Sequence, residues 1–242
     1  MKNNIKNQKL NIVRPGCKDI WNAFMLKNAV YAKYDIPFCP TTSNDIPKEQ
    51  VTWEEAKEIH RKNISKDKAY FYDAYINWYL DDYKFDNSRG IWHDYKNAIK
   101  IIKHFAGVIT PDFSTNQDFP HPIKLKATYK MRAYGYWLGT QGIKVINNVR
   151  WGTSETFDYC FEGIPTNSIV SIGTVGGGPR KKTDRERFEC GLYRMVEVLK
   201  PHTILIYGSD RGECFEKLRK KGIKIIPFRS RTAKFYEGRK SS

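Results

Sequence analysis

The chain lacks any uninterrupted apolar run of the roughly 18 residues that a membrane-crossing helix requires. Its leading residues, MKNNIKNQKLNIVRPG, are polar and lack the apolar stretch of a secretory signal. The five cysteines (Cys17, Cys39, Cys160, Cys190 and Cys214) are odd in number and widely spaced, and no C-x-x-C pair occurs. That pattern excludes a disulfide framework and a zinc site, and reads as reduced thiols in a cytoplasmic protein. No two of the five histidines lie three to five residues apart. Metal binding through His and Cys is therefore not expected, whereas binding of a hard cation such as Mg²⁺ through carboxylates stays open.

The standard nucleotide fingerprints are also missing. Residues 173–182 read GTVGGGPRKK. Gly173 and Gly178 have the separation of a P-loop, but Pro179 stands where the lysine must be. Thr174 and Val175 separate Gly173 from Gly176, so the G-x-G-x-x-G pattern fails as well. What survives is a glycine turn at the end of an apolar segment. It leads through Arg180, Lys181 and Lys182 toward a helix for which Thr183 and Glu186 have capping-box spacing. An anion at Gly176, Gly177 and Gly178 would meet free N–H groups, a helix N-terminus and three cations.

Acidic residues are in the minority. Lys and Arg number 42 against 26 Asp and Glu, for a formal charge of +16, and residues 176–242 hold 18 of the cations against 8 of the anions. Clustering on this scale points to a polyanionic partner, nucleic acid first, and not to a membrane span.

The 242 residues and 40% apolar content suit a folded core. Short apolar runs at 76–80, 107–110, 143–149, 168–175, 203–207 and 223–227 read as strands. Tyr95, Ala98, Ile99 and Ile102, and again Phe188, Leu192, Met195, Val196 and Leu199, recur at helical spacing, with Pro201 ending the second helix. Strand–helix–strand repetition predicts an α/β fold with a mostly parallel sheet of repeated βα units. The length favours a barrel-like closure over an open doubly wound three-layer sheet. The near-continuous apolar strands are those expected when helices cover both faces. Residues 1–50, rich in proline toward their end, form an irregular cap, 51–230 the α/β domain, and 231–242 a basic tail, mobile until it meets a partner. Thr52 and Glu55 have capping-box spacing ahead of WEEAKEIHRKN.

In such folds ligands gather beyond the C-terminal ends of the strands. The first strand runs into Asp81 and Asp82, the second into Asp112, and the third into Asn147, Asn148, Arg150 and Trp151. The fourth runs into the glycine stretch and the fifth into Ser209. Asp81, Asp82 and Asp112 are candidate catalytic groups, and Asp82 with Asp112 is a candidate Mg²⁺ pair. The same aspartates also suit plain turn and helix caps. The amides and Arg150 suit a base edge or a phosphate, and Trp151 suits a stacked base. Ten aromatics fall between Tyr70 and Tyr95, but the interleaved aspartates there favour a core role over a stacking platform.

Four segments, AFMLKNAVYAKYDIPFCPTT, YKFDNSRGIWHDYKNAIKIIKHFAGVITPDFSTNQDFP, YGYWLGTQGIKVINNVRWG and SIVSIGTVGGGPR, resemble Domain of Unknown Function 4417. The resemblance spans roughly residues 17–230 and implies a phage or mobile-element origin. It carries no assigned activity, so no catalytic residue comes with it. Together with the charge it supports a nucleic-acid-binding protein, DNA before RNA, that cleaves phosphodiesters or excises or exchanges bases. The rival readings are a non-catalytic binder, such as a replication accessory or an inhibitor in phage–host conflict, and a small-molecule enzyme using the same rim for a sugar phosphate or nucleotide.

Overall fold

A computed structural model describes residues 13–175 and 182–240, with side chains at all of these but 182 and 237–240. Seven strands form one sheet: β1 (Gln50–Thr52), β2 (Tyr72–Asn77), β3 (Phe105–Ile109), β4 (Val145–Asn148), β5 (Ile169–Gly173), β6 (Thr203–Tyr207) and β7 (Lys224–Phe228). Every neighbouring pair is parallel, and the spatial order is the chain order. A doubly wound sheet reverses its order partway; this one does not. With right-handed crossovers, an unreversed order puts every helix on one face and curls the sheet into a half-barrel. The barrel-like expectation holds and the open three-layer sheet is excluded.

The helices are α1 (Trp53–Asn63), α2 (Tyr95–Ile102), α3 (His121–Thr140), α4 (Lys182–Leu199), α5 (Glu213–Lys220) and α6 (Arg231–Lys240). Thr52 caps α1 with the reciprocal Glu55 bond that the sequence predicts. Outward strand residues such as Ile76, Val108, Val145, Val170, Ile172 and Ile204 pack with the helices. The opposite face carries Tyr75, Tyr79, Ile109, Ile146, Ile169, Leu205 and Tyr207. The rings of Tyr79 and Tyr207 stack 5.3 Å apart, joining β2's extension to β6 across the interior. Here lies one correction: the second face is covered by the far side of the same curled sheet, not by a second helix layer.

Residues 39–45 close the lower end. Thr42 exchanges bonds with Val145, and Ser43 Oγ accepts from the Tyr75 hydroxyl at 2.9 Å. β1 and β7 remain the free edges. α6 follows β7 and pairs with the other edge region, Lys234 with Glu49 at 2.6 Å and Arg231 with Glu54 at 3.3 Å. The sequence expectation of a mobile tail therefore gives way to a helix over 231–240.

The largest departure is α3, which has no clean apolar stripe because it is buried on several sides. Its buried residues include Lys124, Lys130 and Arg132. Lys130 donates to both oxygens of Asp86 (2.6 and 2.7 Å) and stands 4.0 Å from the Phe113 ring centre. Arg132 is fully buried and has no carboxylate partner among the described residues. It donates to three main-chain carbonyls: Glu162 (3.1 Å), Asn148 (3.1 Å) and Cys160 (3.0 Å). Burial pulls its guanidinium down to about 10. One side chain thus ties α3 to the end of β4 and to the loop beyond it.

Candidate functional site

The strand alternation that sends Tyr75 and Tyr79 inward also sends Asn77 inward, as it does Gln50, Asn148 and Ser171. The lower interior is apolar and the upper layer polar. Asn77 Nδ2 donates to Gln50 Oε1 at 3.1 Å. Above them the Tyr79 hydroxyl donates to Asn148 Oδ1 (3.1 Å) and meets Ser171 Oγ at 2.7 Å. Asn148 Nδ2 donates onward to Asp112 Oδ1 at 2.8 Å, and Arg150 Nη1 to Asp112 Oδ2 at 3.1 Å. With the tyrosine proton committed to Asn148, Ser171 is the donor at the head of a directed chain: Ser171, Tyr79, Asn148, Asp112.

Asp112 is the electrostatic centre. Its side chain is 8% exposed, against 26% for Arg150. Burial raises its pKa, the Asp82 charge adds to that, and Arg150 and the Asn148 bond oppose it. Tyr79 is pushed well above the usual phenol range, by burial first and then by the Asp112 charge. Asp82 sits beside this group on the same rim, holding Ser114 through Oγ (2.7 Å) and through the main-chain N–H (3.0 Å).

Gly173 makes room for the chain. A methyl group there would stand 2.5 Å from the Tyr79 ring, which is closer than atoms pack. Gly173→Ala is expected to displace Tyr79 from Asn148 and to cost about 1–3 kcal/mol. Urea unfolding checks this: the midpoint should fall with the slope unchanged, and an unmoved midpoint would show that the ring has other room.

Beside the polar layer a cleft of about 270 Å³ opens between the ends of β4 and β5 and the first turns of α4. Arg150, Trp151, Arg187, Phe188, Thr115 and Asn116 are among the residues bordering it. The Trp151 ring lies over Gly191 of α4, where a methyl group would come within 2.1 Å of its Nε1, and 5.5 Å from Phe188.

The sequence-predicted residues separate on this frame. Asp82, Asp112, Asn148 and Arg150 come together, and Trp151 borders the adjoining cleft. Asp81 does not join them; its side chain is 73% exposed, 3.9 Å from Lys84. Asn147 points to the outer side, donating to the Cys39 carbonyl at 2.9 Å, because alternation sends Asn148 inward. Ser209 is exposed, and its carbonyl accepts from Thr174 Oγ1 at 2.9 Å. Gly176, Gly177, Gly178, Arg180 and Lys181 lie outside the described residues, as does the side chain of Lys182. α4 already includes Lys182, so Thr183 stands inside the helix and not at its cap. Among the described residues no group of three or more His, Cys, Asp or Glu is placed to hold a metal ion, and no helix is long and apolar enough to cross a membrane. Asp82 and Asp112 each spend their oxygens on neighbouring donors. Gln50, Asn77, Tyr79 and Ser171 escaped the sequence reading, although period-two alternation through Tyr75-x-Asn77-x-Tyr79 signals Asn77 and Tyr79.

An unreversed parallel sheet defines an α/β half-barrel, and a buried carboxylate, a buried amide and a half-buried arginine gather at its strand ends as a candidate site. The chain belongs to the family described as Domain of unknown function (DUF4417), which matches residues 29–229. It is similar to the Gene 1 protein of Mycobacterium phage L5, 31% identical over 198 residues that cover 82% of this chain and 81% of that protein. The Gene 1 protein of Mycobacterium phage D29 is 30% identical over 199 residues, covering 82% and 68%. No solved structure matches the chain.

Proposed function

We propose that this protein binds nucleic acid, DNA in preference to RNA, and acts on it at the C-terminal rim, with Asp112 as the reacting carboxyl. The observation that supports this most is the setting of Asp112: buried, raised in pKa, fixed by Asn148 and Arg150, and next to a cleft bearing cations and aromatics. A raised carboxyl held between an amide and a guanidinium suits acid–base or nucleophilic work on a sugar. Base excision or exchange is therefore favoured over phosphodiester cleavage, in which Asp82 and Asp112 would carry Mg²⁺. Arg150 links recognition to chemistry. It borders the cleft and holds Asp112, so a phosphate that draws it outward would uncover the carboxyl. The +16 charge points the same way.

The reading is tested with labelled single- and double-stranded DNA and RNA, with and without Mg²⁺, across a salt series. Expected are salt-sensitive binding and alkali-labile sites that do not need Mg²⁺. Absence of binding even at low salt would overturn the reading. A non-catalytic binder remains the second reading, because both Asp112 oxygens are already paired. It predicts binding without any product.

A further inference from the structure

Arg187 played no part in the sequence reading, yet the fold brings it to the cleft from α4, opposite Arg150 from the end of β4. Neutral amides of the β3–α3 connection contact both guanidinium groups, and Arg150 keeps its ion pair to Asp112 besides. Arg187 Nη1 donates to Gln117 Oε1, and Arg150 Nη2 reaches Asn116 Oδ1 at 3.5 Å. An amide orients a guanidinium without neutralising it. Arg187 is exposed and forms no ion pair among the described residues; Asp184, from the same turn of α4, also borders the cleft, so an anion there sets the two arginines against one carboxylate on that wall. Thr115 borders the same cleft, and its hydroxyl is buried with no hydrogen-bond partner among the described residues. Trp151 and Phe188 supply an apolar wall on the α4 side.

We propose that Arg150 and Arg187 form a two-arginine subsite for a phosphate oxyanion in this cleft, one side chain away from Asp112. This rests on the nucleic-acid reading only for the identity of the phosphate's owner. The phosphate belongs either to a nucleic-acid backbone or to a free nucleotide, and both present the same oxygens. Paired arginines suit them, because the planar fork donates two N–H groups at once.

The test is calorimetric titration of the full chain with inorganic phosphate, a deoxynucleoside monophosphate and a short single-stranded DNA. Arg187→Gln is expected to weaken phosphate binding about tenfold or more, the loss of one charge-assisted contact. Arg211→Gln removes an exposed cation away from the cleft and is expected to leave binding unchanged. Arg187 is exposed, so its variant should melt with wild type, which separates lost contact from lost fold. Tighter binding of the oligonucleotide than of the monophosphate supports the subsite with a backbone phosphate, and the reverse order supports it with a free nucleotide. Equal phosphate binding by wild type and Arg187→Gln, or equal weakening by Arg211→Gln, would overturn the proposal. A protein that binds phosphate through Arg187 yet never alters DNA would keep this subsite and lose the proposed activity.

Discussion

Asp112→Asn is expected to lower turnover on nucleic acid by about 10²–10⁴-fold, the range by which acid–base groups contribute, while binding stays within about twofold. The substitution keeps the shape and the acceptor that Asn148 needs, removes the charge and the proton, and leaves Arg150 facing an amide N–H in place of the oxygen that accepted its bond. The same variant is expected to be more stable than wild type at neutral pH. Burial is the largest influence on Asp112 and outweighs Arg150, so its pKa in the folded chain lies above the ordinary 3.8. For an acid shifted upward, the folded state holds its proton longer than the unfolded state. The stability cost is then absent below about pH 3.8, grows as pH rises toward the folded pKa, and is complete above it. The melting-temperature gap between Asp112→Asn and wild type should follow that course, closing as pH falls. A variant that is less stable at every pH and fully active would make Asp112 a structural group. Stability sacrificed at a reacting residue is the common exchange between stability and activity.

Arg132→Met is expected to remove about 3–5 kcal/mol of stability, the scale for leaving several buried acceptors without their charged donor at about 1–3 kcal/mol each. Methionine matches much of the volume, so the loss comes from three carbonyls, those of Asn148, Cys160 and Glu162, left buried without a donor. Asn148 also carries the polar chain to Asp112, and its main-chain N–H is held by Thr110 Oγ1 at 2.8 Å. Loss of Arg132 should therefore loosen the site as well as the fold. Urea unfolding reads the first effect. A variant within about 1 kcal/mol of wild type would mean that water replaces the guanidinium.

The repeated βα pattern was legible because apolar runs such as Thr203–Tyr207 coincide with strands buried on both faces. Elsewhere the same rule misplaces boundaries. β2 runs over Tyr72–Asn77 and not 76–80, since Tyr72 and Asp73 belong to the ladder while Trp78 and Leu80 have left it. β1 has only three residues, Gln50–Thr52, two of them polar, and no run announces it. α3 was hidden by its cations: Lys124, Lys130 and Arg132 look like a solvated face until Glu155, Asp86 and three carbonyls are found around them. At the site, listing strand ends located Asp82, Asp112, Asn148 and Arg150, because strand C-termini share one rim. It could not separate Asn147 from Asn148, which needs the register, nor bring Tyr79 to Asn148 and Ser171, which meet it only once the sheet curls. Arg187 lies on a helix whose outward charges all look alike in sequence, and only the crossover brings it to the cleft.

The most direct test is the mass of a defined single-stranded DNA after incubation with the protein in the absence of Mg²⁺. The account predicts a product that has lost one base with its sugar–phosphate backbone whole, formed by wild type and not by Asp112→Asn. DNA that is bound but returns with its mass unchanged would contradict it.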